Sequence, residues 1–206
     1  MKHVSSVLAS LGLLLAAAPA WAGDIAQIGQ VGGSNNAAIE QMSSGGSNLA
    51  SVRQGDGSRE ATANNAQLVQ IAVDNSFIDV FQWGFNNQYN VYQHDGADLK
   101  ANINTDSAIY GNGFSESNSA TIDQSGFGAR AWVEQGGMLN RADIVQQSWG
   151  GNSAEILQAG TANQASIFQA GGNLSASIVQ SSGAFDPGFG SVNTATIRQS
   201  NGGYGW

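Results

Sequence analysis

Residues 153 to 172 read SAEILQAGTANQASIFQAGG. Ala154, Ile156 and Gln158 return eleven positions later as Ala165, Ile167 and Gln169. A spacing of two places each trio on one face of a β-strand, where a helix would scatter it. The residues between them, Glu155 and Leu157 or Ser166 and Phe168, are mixed in character and point to the other face. A strand of about seven residues followed by a connection of about four gives an eleven-residue unit. Gly in the connections (VGGS, WGFN, GGML, AGTA) supplies the positive φ of a tight reversal.

The unit extends through the chain. Aligned on Gln, its template is N-x-A-x-I-x-Q, seen in Asn140, Ala142, Ile144, Gln146 and again in Asn193, Ala195, Ile197, Gln199. Fourteen units end at Gln30, Gln41, Gln54, Gln70, Gln82, Gln93, Thr105, Gln124, Gln135, Gln146, Gln158, Gln169, Gln180 and Gln199. All carry Ile, Val or Leu two residues before the end, and twelve carry Ala four before it, Ile78 and Tyr89 being the exceptions. Thr105 alone replaces the final Gln. Beyond Ala22 the chain has six basic and 15 acidic side chains, and only Asp24 falls in this frame. A face that excludes charge so consistently is an interior.

Odd and even units differ. The first frame position is Asn in every even unit (Asn35, Asn64, Asn87, Asn118, Asn140, Asn163, Asn193) and varied in the odd ones. The true repeat is therefore two strands, about 22 residues, and stacking such coils gives an all-β fold, a β-solenoid of about seven coils. At 4.7–4.9 Å per strand the rod stands about 30 Å tall. The larger gaps, around 55–63, 106–117 and 181–192, all fall between an odd unit and the following even one, so these loops are expected on one edge. Within the rod, Ala and Ile fill a dry centre, and primary amides, each both donor and acceptor, hydrogen-bond along the stack as in cross-β ladders. Asn, beside the turns, also reaches turn backbone.

Lys2 and His3 precede an apolar run, Val7 to Ala18, and an A-x-A site at Ala20 and Ala22. This predicts a secretion signal over 1–22, cut between Ala22 and Gly23, too short for a membrane span. The repeat region then covers 23–199 and a short tail 200–206. Exported proteins often use disulfides, but this chain has no Cys. Charged residues are 11% of the chain, well below the roughly 25% of ordinary domains, and the net charge is -8. That acidity argues against a nucleic-acid partner. With the first unit starting just after the cleavage site and little following Gln199, neither end has length for a capping helix, and an uncapped solenoid templates another copy of itself.

Units such as NSATIDQSGFG, NQASIFQAGGN and NNAAIEQMSSGG resemble the curlin repeat, over essentially all of the expected mature chain. Curlins are subunits of curli, extracellular functional amyloid fibres of bacterial biofilms. The resemblance implies a homopolymer, export through an outer-membrane pore with accessory factors, a second curlin subunit as partner, and roles in adhesion and matrix cohesion. Two features depart from it: GDIAQIGQ enters the repeat at once, without the usual preceding segment, and seven coils exceed the usual five. The minor nucleating subunit tends to be basic near its C-terminus; here only Arg198 is basic after Arg141, which favours the major subunit.

Chemistry of other kinds is weakly marked. His94, in QHDGAD, has no Cys or second mature His with which to share a metal and reads as a solvated turn residue. Asp95 and Asp98 lack the spacing of a calcium loop. Carboxylates occur singly, and no G-x-S-x-G elbow is present. No catalytic residue, cofactor or metal is expected. Outward Phe81, Tyr92, Trp132 and Phe168 and loop residues Trp83, Trp149, Phe185 and Phe189 are either scattered surface aromatics or a sticky surface. A monomeric β-solenoid adhesin or enzyme, the alternative from another class, would need a carboxylate cluster or a regular outward array.

Overall fold

A computed structural model describes residues 23–42, 46–55, 61–105, 115–181 and 192–201. The predicted signal and most of the three long loops and the tail, with Phe185 and Phe189, lie outside these residues. The described chain is all β and winds in seven coils. The first holds β1 (Ile25–Gln30), β2 (Gly32–Gly33) and β3 (Asn36–Met42), the second β4 (Leu49–Gln54), β5 (Ala61–Thr62) and β6 (Asn65–Asp74). The third holds β7 (Phe77–Gln82), β8 (Gly84–Phe85) and β9 (Gln88–Ala97), the fourth β10 (Lys100–Thr105), β11 (Ser115–Glu116) and β12 (Ser119–Phe127). Then come β13 (Arg130–Met138) with β14 (Arg141–Gly150), β15 (Ser153–Thr161) with β16 (Gln164–Gly172), and β17 (Ser175–Ser181) with β18 (Thr194–Ser200).

Odd arms form one sheet, in the order β1-β4-β7-β10-β13-β15-β17, and even arms the other, β3-β6-β9-β12-β14-β16-β18. Every pairing is parallel. Parallel neighbours need a crossover of a dozen or more residues, and here each crossover is the arm in the opposite sheet. Register follows the frame: Ala142, Ile144 and Gln146 sit beside Ala165, Ile167 and Gln169. This is the β-solenoid expected from the repeat.

The core is the Ala and Ile rows of both sheets, from Ala50 and Val52 to Ala176 and Ile178, with Ala37, Ile39, Ala195 and Ile197 half-buried at the ends. Val73, Leu99 and Ala129 make a second apolar cluster at the even-to-odd corner. That cluster explains why odd units do not all begin with Asn: Leu99 and Ala129 fill the corner with carbon.

Two details differ from the sequence reading. Several strands run nine or ten residues, because β-pairing continues past the Gln around the corner: Gly137 and Met138 still pair with Gly160 and Thr161. And at the odd-to-even corner positive φ falls on Gly32, Gly84, Gly137 and Gly160, as expected, but also on a second, non-glycine position, Ser34, Ala63, Asn86, Ser117, Leu139 and Ala162. Gly is needed two residues earlier, where a Cβ on Gly32 or Gly137 would run into the carbonyl of the coil above. The short strands stack as one column, β2 on β5 on β8, and β8 on β11 on the end of β13. The described residues that flank the first two long loops therefore lie on one edge. Asn193, after the third, bonds to Asn163 of the same corner column.

Candidate functional site: amide columns and the ends of the stack

In the even sheet the seven Gln form one chain of amides. Gln41 Nε2 donates to Gln70 Oε1 at 2.7 Å, and the sense repeats from Gln70 to Gln93, Gln124, Gln146, Gln169 and Gln199 at 2.8–2.9 Å. The second N–H crosses to the opposite sheet: Gln93 to Phe77 O, Gln124 to Lys100 O, Gln169 to Ser153 O. Odd Gln reciprocate, with Gln135 on Ser119 O, Gln158 on Arg141 O and Gln180 on Gln164 O. A residue such as Gln169, fully buried, thus uses both donors and its acceptor, which removes the cost of burying an amide. Each column ties coil to coil and sheet to sheet. The sequence marks the first link through repetition of Gln; backbone carbonyl acceptors carry no side-chain signature, so the second is invisible in it.

Asn is wired differently. Its Oδ1 accepts chiefly from the backbone N–H of the Asn one coil on: Asn64 N to Asn35, Asn87 N to Asn64, Asn118 N to Asn87, Asn140 N to Asn118, Asn163 N to Asn140, at 2.8–3.2 Å. Its Nδ2 holds turn carbonyls, as Asn140 does on Gly136 and Gly160. Donors in the Gln column point toward the C-terminal end of the stack, and acceptors in the Asn column do the same.

The odd Gln column is broken once. Gln30, Gln54 and Gln82 link, and so do Gln135, Gln158 and Gln180, with Thr105 between the two groups. Thr105 Oγ1 donates to Phe81 O and accepts from Trp83 N, and Gln135 Oε1 is left buried without a partner. Tyr89, on the facing arm in place of Ala, lies beside Thr105. The large-for-small exchange on one arm matches the small-for-large exchange on the other. Burial pushes the Tyr89 phenol above its ordinary value, the nearby Thr105 hydroxyl offsetting part of that, yet the phenol oxygen closes no hydrogen bond. The signal available beforehand was that template exceptions fall in consecutive units.

Two surface readings are corrected. His94 belongs to β9, not to a turn, and each ring nitrogen faces a carboxylate, Asp95 Oδ2 at 2.9 Å and Asp123 Oδ1 at 3.2 Å. Asp123 reaches it from the neighbouring strand, a contact that sequence distance hides. Trp83 is buried, whereas Trp149 stands exposed on β14. Tyr92 and Trp132 are exposed and Phe81 and Phe168 half-buried on the outer faces.

At the ends, the inward rows of β1, β3 and β18 are partly open, whereas that of β17 stays buried. Every residue of β1 up to Gly29 is exposed, and inward positions of β3 and β18 are only half-buried. Among the described residues Gln41 Oε1 accepts nothing at one end, and Gln199 spends one N–H on Ser175 O and keeps the other at the opposite end. Such a run of stacked amide-ending arms is diagnostic. The family of the curlin associated repeat matches residues 116–147 and 151–181, the arms β12 to β17 apart from their junctions. These arms carry the curlin associated repeat. Curlins are structural subunits rather than enzymes, and self-assembly into extracellular fibres belongs to the family. No curated protein sequence matches the chain. No helix among the described residues is long and apolar enough to cross a membrane.

Proposed function

We propose that this chain is a structural subunit of an extracellular, curli-like amyloid fibre, growing end to end and supporting biofilm matrix, adhesion and cell aggregation. In this reading the leader is removed between Ala22 and Gly23, the processed chain leaves through an outer-membrane pore with its accessory factors, and it polymerises at the cell surface. The carrying observation is that the even-sheet amide column runs from β3 to β18, both partly open, with an acceptor on Gln41 and a donor on Gln199 still to fill among the described residues. An open parallel edge of this kind pairs with another chain. The amide ladder, Gln30 to Gln180 on one sheet and Gln41 to Gln199 on the other, with Asn35 to Asn193 beside the turns, is the assembly element.

Purified processed protein at neutral pH should become thioflavin-positive and give fibre reflections near 4.7–4.8 Å and about 10 Å. A soluble, dye-negative monomer after days would overturn the reading. The acidic composition favours the major subunit over a minor nucleator. Cross-seeding separates them: a major subunit elongates its own seeds, whereas a nucleator accelerates a partner more than itself.

A further inference from the structure

We propose that two copies meet in a single polarity and register, β17 and β18 of one against β1 and β3 of the next, with Arg198 facing Glu40 across the junction. This rests on the fibre reading above and adds which surfaces meet and what aligns them.

The partner is a second copy because each end completes the other. Continuing the pairing of β16 with β18 by one more strand sets Ala195, Ile197 and Gln199 beside Ala37, Ile39 and Gln41, and the odd arms set Ala176, Ile178 and Gln180 beside Ala26, Ile28 and Gln30. Gln199 brings a free N–H and Gln41 a free Oε1, so the Gln column passes through in its existing sense. Asn193 receives no bond on Oδ1 among the described residues, and the backbone N–H of Asn35 in the next copy occupies the place that Asn163 N occupies below Asn140.

Charge fixes the choice. Arg198 and Glu40 are the two ends of one outward column of the even sheet. Within its own copy Glu40 lies beside Val69, and Arg198 lies over the Phe168 ring, 5.4 Å from its centroid. Neither neighbour carries the opposite charge, and both side chains are exposed. Head-to-tail contact puts them on adjacent in-register strands, where opposite charges attract and like charges repel. A two-fold contact between like ends would instead bring two Arg198 or two Glu40 to one junction and run the strands antiparallel. A slip of one residue would turn the inward rows outward.

The test uses Arg198→Glu and Glu40→Arg in the processed chain. Each alone places like charges at every junction, and seeded elongation should slow roughly fivefold at low salt, the effect fading near 1 M salt. An equimolar mixture of the two single variants has opposite charges wherever the variants alternate, so it should elongate within about twofold of the original protein, as should the double variant. Two-fold contacts predict instead that neither single variant slows relative to the original protein, because like charges already meet at every such junction, and that the mixture outpaces it. If the original protein forms fibres but the single variants elongate equally fast, or their mixture is no faster than either, the junction is wrong and the fibre reading stands. If the original protein forms no fibre, the fibre reading itself fails.

Discussion

Gln146 shows what a buried primary amide contributes when all its bonds are made. It accepts from Gln124 and donates to Gln169, so Gln146→Ala orphans an N–H on one neighbour and an oxygen on the other. Each orphaned buried group costs about 1–3 kcal/mol, and urea unfolding of the monomer should show a loss of that order or larger. A loss no greater than that of an exposed Gln147→Ala control would remove the ladder as a source of stability. Tyr89 is the converse case. Its hydroxyl is buried and unpartnered, so Tyr89→Phe should hold or raise stability, by about 1 kcal/mol at most. Its raised folded pKa sets the pH dependence. The neutral phenol is favoured in the fold, so that contribution is whole below about pH 10, the unfolded value, and declines above it as unfolded chains ionise. The decline contributed by this residue approaches about 1.4 kcal/mol per pH unit. Denaturation curves from pH 9 to 11 should therefore fall less steeply for Tyr89→Phe. Equal slopes would mean the phenol is not held neutral.

At the scale of the arm, period two and the eleven-residue spacing made strand, face and stacking partner legible, because a one-residue slip would bury every outward charge. What the pattern left unread lies where contacts are made by backbone or across coils. The cross-sheet bonds of Gln135 and Gln158 end on carbonyls, and Tyr89 and Thr105 complement each other only across facing arms, which the pattern within one arm does not show. His94 was assigned to a turn because QHDGAD is turn-like in composition, yet β9 continues through it, and Asp123 arrives from β12. The corners are legible only in part. Gly137 combines a positive φ with a close carbonyl approach, and a second left-handed residue follows two positions later, Leu139 at φ 58, which is also exposed. A branched side chain there stores about 1–2 kcal/mol of backbone strain. Leu139→Gly should recover some of it, net of the larger freedom glycine has when unfolded, raising stability by about 0.5–1 kcal/mol. Leu139→Val at the same place should lower it, and thermal unfolding of the two variants reads the difference. A stabilising Val would mean the corner tolerates β-branching and that strain is not held there.

For the whole molecule, the repeat is a coil and not an arm. Stability in such a stack is a sum of coil terms and nearest-neighbour terms, so a coil can be removed if its neighbours match. Deleting residues 151–172 joins Gly150 to Asn173 and brings β13 against β17 and β14 against β18. Gln135 then meets Gln180, and Gln146 meets Gln199. The shortened chain should fold, with a smaller urea m-value in proportion to the lost surface. Deleting only residues 153–163 keeps the eleven-residue period but exchanges the arms that follow. Leu174 would fall in the even column, where Asn163 donates through Nδ2 to Ala159 O and Asn140 to Gly136 O, and the equivalent turn carbonyl would lose its donor at a buried corner. This variant should unfold in two steps, its last arms melting first, and amide exchange should show β17 and β18 unprotected while β13 and β14 remain protected. Equal protection of all arms in both deletions would mean that odd and even arms are interchangeable and that the stack is built on eleven residues, not on the two-armed coil.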